Sequence, residues 1–346
     1  MRISVFPKGQ LDDLASGKMS VFDWIKLAAP LRCDGLELWS GMFPRPSLTL
    51  ADRVAQALAD AGQVMPMLCV STDFTNPDAG QRQAEFDREV ELIEFAHRIS
   101  GPGVAVRVLS GQRHPGVSRE QGLDWAASSI KALFPLARQL DVLLSLENHY
   151  KDGAWAYPEF AQKTDVFLDL LKLIGDEPNF GVQYDPSNAI VAGVDSADFL
   201  DLVVDRVITM QASDRFLEPG ASLDDLRLQD GTLGYSPKLS HGVIGRGLND
   251  YQRIFQTLAG HGYDGWISIE DGVNGMADLT ESVKFLRQAR ETYFDGSTAV
   301  RVEPLEQRRQ AAGLPSLALP SLALPGCGSA GSATSGPGEP RQGEPC

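Results

Sequence analysis

Through the first 296 residues, short runs rich in Val, Ile, Leu and aromatic side chains alternate with longer stretches whose apolar positions recur at helical spacing. The runs fall at residues 2–6, 35–40, 65–71, 104–110, 142–149, 180–186, 206–213 and 265–270, and their lengths suit strands. Between and after them, residues 86–99, 121–140, 165–174, 250–259 and 279–293 read as amphipathic helices. In the first of these, Val90, Ile93, Ala96 and Ile99 share a face. Eight strands alternating with helices predict a (β/α)8 TIM barrel. The rival is a doubly wound open sheet, but no GxGxxG follows the first run, where a dinucleotide would need it.

The pattern ends near residue 296. From Ala311 to Cys346, Gly and Pro supply 13 of 36 residues and Ser and Ala another 11, and SLALP occurs twice in succession. Such composition predicts a low-complexity, disordered tail over 297–346 behind a catalytic domain at 1–296. The tail carries four Arg and four Glu, so the net charge of −15 belongs to the barrel. That charge excludes a nucleic-acid partner, whose phosphates need clustered Lys and Arg, and an anionic membrane surface. No run of apolar residues is long enough to span a bilayer, and the N-terminus lacks the apolar stretch of a signal peptide. The expected location is cytoplasmic. Cys33 and Cys69 sit in or beside apolar runs and read as small buried hydrophobes, Cys327 and Cys346 lie in the tail, and no spacing suggests zinc or a disulfide framework.

Barrel enzymes carry their chemistry where strands end. The fifth run, LLSLENHY, closes on Glu147, Asn148 and His149; the sixth, FGVQYDPSN, offers Asp185 and Asn188. The seventh, VITMQASDR, offers Gln211, Asp214 and Arg215, and the eighth, WISIEDG, offers Glu270 and Asp271. Period-two alternation puts Ser145, Glu147 and His149 on one face, Thr209, Gln211 and Ser213 on another, and pairs Ser268 with Glu270. Helices cover the outside of a barrel, so these polar faces point inward. Glu147, Asp185, Glu270 and the Gln211 carbonyl then meet, and carboxylates this close repel unless a cation lies between them. An all-oxygen set suits Mn²⁺ or Mg²⁺ better than zinc. Any one of these acids can equally be a helix cap or a loop residue.

His149, on the face of Glu147, is the candidate base, and its plainer role is to orient Glu147 or cap the loop. Arg107 and Arg215 are candidates for binding sugar hydroxyls, or for pairing structurally with a carboxylate. His241 lies in the long excursion between the seventh and eighth runs, where substrate contact is an expectation. His114, in SGQRHPG, is a weaker candidate for lining the mouth, while Gly245-x-Gly247 reads as a turn. Trp39, near Glu37 at the end of the second run, can stack on a sugar or aglycone or belong to the core.

DGLELW, LSLENHY, VQYDPSN and a seventh run ending in Asp-Arg together resemble the xylose-isomerase-like barrel superfamily of sugar phosphate isomerases and epimerases, over roughly residues 1–295. That resemblance implies one divalent metal on Glu147, Asp185, Gln211 and Glu270. Ketose epimerases carry His where this chain has Gln211, a departure from a simple epimerase. MRISVFPKG, LENHY, YDPSN and MQASDR look most like the large subunit of bacterial C-glycoside deglycosidases. This implies Mn²⁺, a small β-rich second subunit and cleavage of the sugar–aglycone carbon–carbon bond of a 3-oxo-C-glucoside. Both activities start by removing a proton beside a carbonyl to give an enediolate. In an epimerase, Glu147 and Glu270 face opposite sides of the sugar. In the lyase, His149 takes the C2 proton and the aglycone leaves from C1, with Asn188, Arg107, Arg215, His241 and Trp39 binding substrate. A DNA-repair endonuclease on the same barrel would need more than five His and a basic groove, and a non-catalytic binding barrel would not need both Glu147 and Glu270.

Overall fold

The computed structural model describes residues 1–228 and 238–295. The expected boundary at 296/297 and the tail cysteines lie outside the described residues.

The eight predicted strands form one parallel sheet that runs round a barrel. In chain order they are β1 (Arg2–Val5), β2 (Gly35–Leu36) with β3 (Leu38–Trp39), β4 (Met67–Cys69), β5 (Ala105–Val108), β6 (Leu143–Glu147), β7 (Phe180–Tyr184) and β8 (Val207–Ala212). A short antiparallel pair, β9 (Asp214–Leu217) and β10 (Leu239–Gly242), follows, and β11 (Trp266–Ile269) completes the ring. The second predicted strand is split at Glu37: Gly35 and Leu36 pair with β1, whereas Leu38 and Trp39 pair with β4. Glu37 joins the two halves while its own N–H donates to the Val5 carbonyl at 3.0 Å.

Alternation decides what each face does. Val5, Leu68, Val106, Leu144, Leu146, Val182, Met210, Ile267 and Ile269 are buried in a hydrophobic layer shared with helix residues such as Trp24, Val54, Ile93, Ile130, Leu170 and Leu258. The other faces carry buried polar groups: Ser4, Arg107, Ser145, Glu147, Gln183, Thr209, Gln211 and Ser268. The chain therefore has a greasy sleeve outside the strands and a polar interior.

Helices cover the sleeve where predicted, with starts set by capping groups. Ser20 and Ser118 each form a capping box, before Val21–Ala28 and Arg119–Leu140. The helix expected at 86–99 starts earlier, at Ala79–Ser100, because the Asp78 side chain accepts from Gln81 N–H. On that helix Val90 is only partly buried, and the acidic Glu89 takes an enclosed position beside Leu92 and Ile93.

Truncation of a sleeve residue tests the division. Leu146→Ala, at a side chain with no exposed surface, is expected to lower the unfolding free energy by roughly 2–5 kcal/mol in a urea titration. A loss under about 1 kcal/mol would contradict the packing described.

Candidate active site

Strand ends and their first turns assemble the site. Strand β6 ends on Glu147, whose Oε2 accepts from Arg107 Nη1 at 2.5 Å and whose Oε1 accepts from Asn188 Nδ2 at 2.8 Å. Arg107 is held in turn by donating to the Val70 carbonyl and to Ser71 Oγ. Asp185, just beyond β7, caps the helix Pro186–Val191: its Oδ1 accepts from Asn188 N–H and from Ser213 Oγ. Asn148 grips the Asp185 backbone from both sides, donating to its carbonyl and accepting from its N–H. The helix-cap reading of Asp185 thus holds for one oxygen, while Oδ2 is buried with no hydrogen-bond partner.

Glu270, just beyond β11, accepts from Lys8 Nζ at 2.5 Å. Lys8 opens the turn after β1, and that turn lies so close to the β11 loop that a Cβ on Gly9 would come within 2.0 Å of the Gly272 carbonyl. Only glycine permits this approach, and the approach delivers Lys8 to Glu270.

Electrostatics put Asp185 within reach of both Glu270 and Glu147. Burial, then Glu270 and Glu147, push Asp185 well above the ordinary carboxylate range. Burial would raise Glu270 too, but Lys8 and Arg215 overrule it and hold it well below that range. Burial likewise disfavours the charge on Lys8, yet Glu270 raises it above its ordinary value.

Gln211 lies level with Ser268 on the neighbouring strand, one inward position below Glu270. Its Nε2 donates to Glu37 Oε1, which also accepts from the Cys69 thiol at 2.6 Å, while Gln211 Oε1 is buried without a partner. Burial pushes Glu37 up to about 7 despite these donors. Cys33 and Cys69 are buried as expected, and Cys69 also serves this polar contact.

The remaining candidates spread around the mouth. His149, beyond the last residue of β6, is buried, stacks on Tyr150 and meets the edge of Trp155. Arg215 is fully buried; its Nη1 donates to the Asp214 carbonyl and to His241 Nδ1 across the β9–β10 pair. Burial, then Arg215 and Lys8, lower His241 to about 3, so it is neutral. Trp39 lines a side cavity of about 200 Å³ with Ser71, Glu89 and Asp152, joined to Arg107 through Ser71. Asp271 accepts from Ser282 and Asp214 from Gly245, Gly247 and Asn249 N–H, so both organise loops. His114 pairs with Asp73 at 2.8 Å.

Among the described residues, no three His, Cys, Asp or Glu side chains stand as a ready ligand set. Lys8 and Arg107 already hold the two glutamates. The donor chemistry nevertheless fits a hard cation: Asp185 lies within electrostatic reach of both Glu270 and Glu147, and Asp185 Oδ2 and Gln211 Oε1 are both buried without a hydrogen-bond donor.

Sequence reasoning did not single out Lys8, although the strand-end rule reaches it, three residues past β1. Nor did it assign roles to Glu37 and Cys69.

The family model for xylose isomerase-like TIM barrels matches residues 25–289. The chain belongs to that family. Among solved structures it is similar to a D-tagatose 3-epimerase-like protein, with 18% identity, 84% of this chain and 97% of that one covered, and a TM-score of 0.65. It is also similar to 3-keto-D-glucoside 4-epimerase from E. coli at 13% identity, covering 84% and 99% with a TM-score of 0.59. A third, the IolI protein with a bound zinc atom, matches at 12% identity, 85% and 100% coverage and a TM-score of 0.62. At these identities the likeness is one of fold. No curated protein sequence matches the chain.

A pH titration tests Glu37. Its folded value lies above its ordinary one, so the stability it contributes is full below about pH 4.5 and is lost as pH rises to about 7. Relative to Glu37→Gln, the wild type is expected to lose on the order of 3 kcal/mol of unfolding free energy across that window. Parallel pH curves for the two proteins would contradict the assignment.

Proposed function

We propose that this chain moves a proton at the carbon beside the carbonyl of a keto sugar, as a sugar isomerase or epimerase acting through an enediolate. The observation that carries this is the grouping of Glu147, Asp185 and Glu270 at one mouth, with Arg107, Lys8 and Arg215 around them. The fold it shares with a D-tagatose 3-epimerase-like protein and a 3-keto-D-glucoside 4-epimerase supports the same class of substrate.

Glu147 and Glu270 are the two carboxylates that exchange protons with the sugar on opposite sides, a role that needs each within hydrogen-bond reach of carbon. Arg107 and Asn188 hold both oxygens of Glu147, so its orientation is fixed before substrate arrives. Arg215 and His241 contact sugar oxygens from the β9–β10 side. Glu147, Asp185, Glu270 and the Gln211 carbonyl would hold a divalent cation, Mn²⁺ or Mg²⁺, which when bound supplies Lewis-acid stabilisation of enediolate oxygens.

A second reading, cleavage of a 3-oxo-C-glucoside, is favoured by Gln211 and by the Tyr150 and Trp155 rings that flank His149. Here His149 takes the C2 proton, a C1=C2 double bond forms, and the aglycone carbon leaves C1 with the electron pair and is protonated. This reading includes a small β-rich second subunit and a flavonoid-type aglycone.

The two readings separate in deuterated water with Mn²⁺. Deuterium beside the carbonyl of a 3-keto-glucoside, with a new epimer or isomer in the proton NMR spectrum, is the result expected of the first. Aglycone released from a 3-oxo-C-glucoside only when the second subunit is added would favour the other, and no exchange on either substrate would overturn both. Glu147→Gln and Glu270→Gln are each expected to lower kcat by about 100-fold or more and to reduce bound metal. Full metal content with full activity in either variant would refute the site.

A further inference from the structure

We infer that Glu159 is the positioning residue that fixes the ring of His149 and decides which of its nitrogens accepts a proton. The inference rests on the second reading above, in which His149 takes the C2 proton.

Glu159 lies in the loop after β6, beyond the strand-end positions in sequence, and folds back against the segment that follows β5. Its backbone is fixed twice: its N–H donates to the Tyr150 carbonyl at 2.8 Å, and it bridges to Gln112 beyond β5. The side chain is 1% exposed and its two oxygens have different surroundings. Oε1 accepts from Ser110 N–H at 2.9 Å, from Ser110 Oγ, and from Gly111 N–H at 3.3 Å. Oε2 is buried, makes no hydrogen bond and lies 3.7 Å from His149 Nδ1. That Nδ1 is itself buried without a hydrogen-bond partner. Two enclosed, unpartnered groups of matching chemistry thus face each other, one short of hydrogen-bond distance, on a carboxylate that three donors prevent from turning.

A separation of this kind is what catalytic pairs show before substrate tightens them. With the Nδ1 proton directed at Glu159, the lone pair is on Nε2, which is the nitrogen left for the substrate C–H. Tyr150 and Trp155 pack against the ring and limit its rotation. Glu159 does not touch the reacting atoms; it acts through the tautomer.

Glu159→Gln gives a direct test, because the three donors require an oxygen at the Oε1 position. The new NH₂ must then face Nδ1 and donate to it, forcing the proton to Nε2. Purified full-length protein labelled with ¹⁵N only at its five histidines reports the tautomer at a pH where the ring is neutral, with His149→Gln identifying the resonance. The wild type is expected to carry the proton on Nδ1 and Glu159→Gln on Nε2, with unchanged melting temperature. Glu159→Asp, which keeps the charge but withdraws it by one methylene, is expected to show a mixture and serves if the amide variant does not fold. Release of aglycone from a 3-oxo-C-glucoside should fall by roughly 10²–10⁴ in kcat for Glu159→Gln with KM little changed, and Glu159→Gln should add no further loss in the His149→Gln background. An unaltered tautomer in both variants, or a loss seen only in KM, overturns the inference. The tautomer readout needs no substrate, so an error about the reaction leaves it intact and distinguishable.

Discussion

Glu147 and Glu270 both press on the buried Asp185, and that repulsion is the constraint to which the rest of the mouth answers. Burial disfavours the negative charge of Asp185 and Glu270, and for Asp185 proximity adds to it. The chain responds in two ways. It places Arg107 and Lys8 against the two glutamates, and it raises the central Asp185 well above the ordinary carboxylate range. Arg215, fully buried nearby, adds further positive potential that also keeps His241 neutral. A divalent cation would serve the same end with more charge in less volume. A site balanced by side-chain cations is therefore chemically continuous with one balanced by a metal.

The barrel makes that balance possible because its strands separate apolar from polar at every step. Leu144 and Leu146 bind the strand to its helices, and Ser145 and Glu147 between and beyond them look inward. The rigidity of the hydrophobic sleeve is passed to the carboxylates through one or two bonds of backbone, which is why the acids can be held close against their repulsion. Loops then finish what strands begin: Asn148 and Asn188 turn Asp185 and Glu147, and the turn at Gly9 carries Lys8 across from the first strand to the last.

Much of this was legible in the sequence because alternation and strand-end position are local signals. All eight strands, and the approximate places of Glu147, Asp185 and Glu270, follow from them. What escaped lies in contacts between distant segments. Lys8 and Glu270 are 262 residues apart, and no periodicity links them. Glu37 reads as an ordinary strand residue until the strand is seen to break there. Val90 packs against the core with Ile93, Ala96 and Ile99 as spacing indicates, but spacing gives no sign that Glu89 beside it is enclosed, lining the side cavity with Trp39. Glu159 sits in a loop with no pattern, and only the fold-back of that loop along residues 110–113 brings it to His149.

Asp214 has a consequence of another kind. Its carboxylate collects the N–H groups of Gly245, Gly247 and Asn249, while Leu248 N–H donates to the Arg215 carbonyl. A Cβ on Gly247 would stand 2.3 Å from Asp214 Oδ1, so the knot admits only glycine there. The excursion that leaves the barrel after β8 is thereby tied off where it returns, beside its own departure point. Whatever length or composition the intervening segment takes, the positions of Arg215 and of the strand that follows are already settled. Loop-closure entropy grows slowly with length, so such a clasp tolerates a change in the length of the segment between without moving Arg215 out of register.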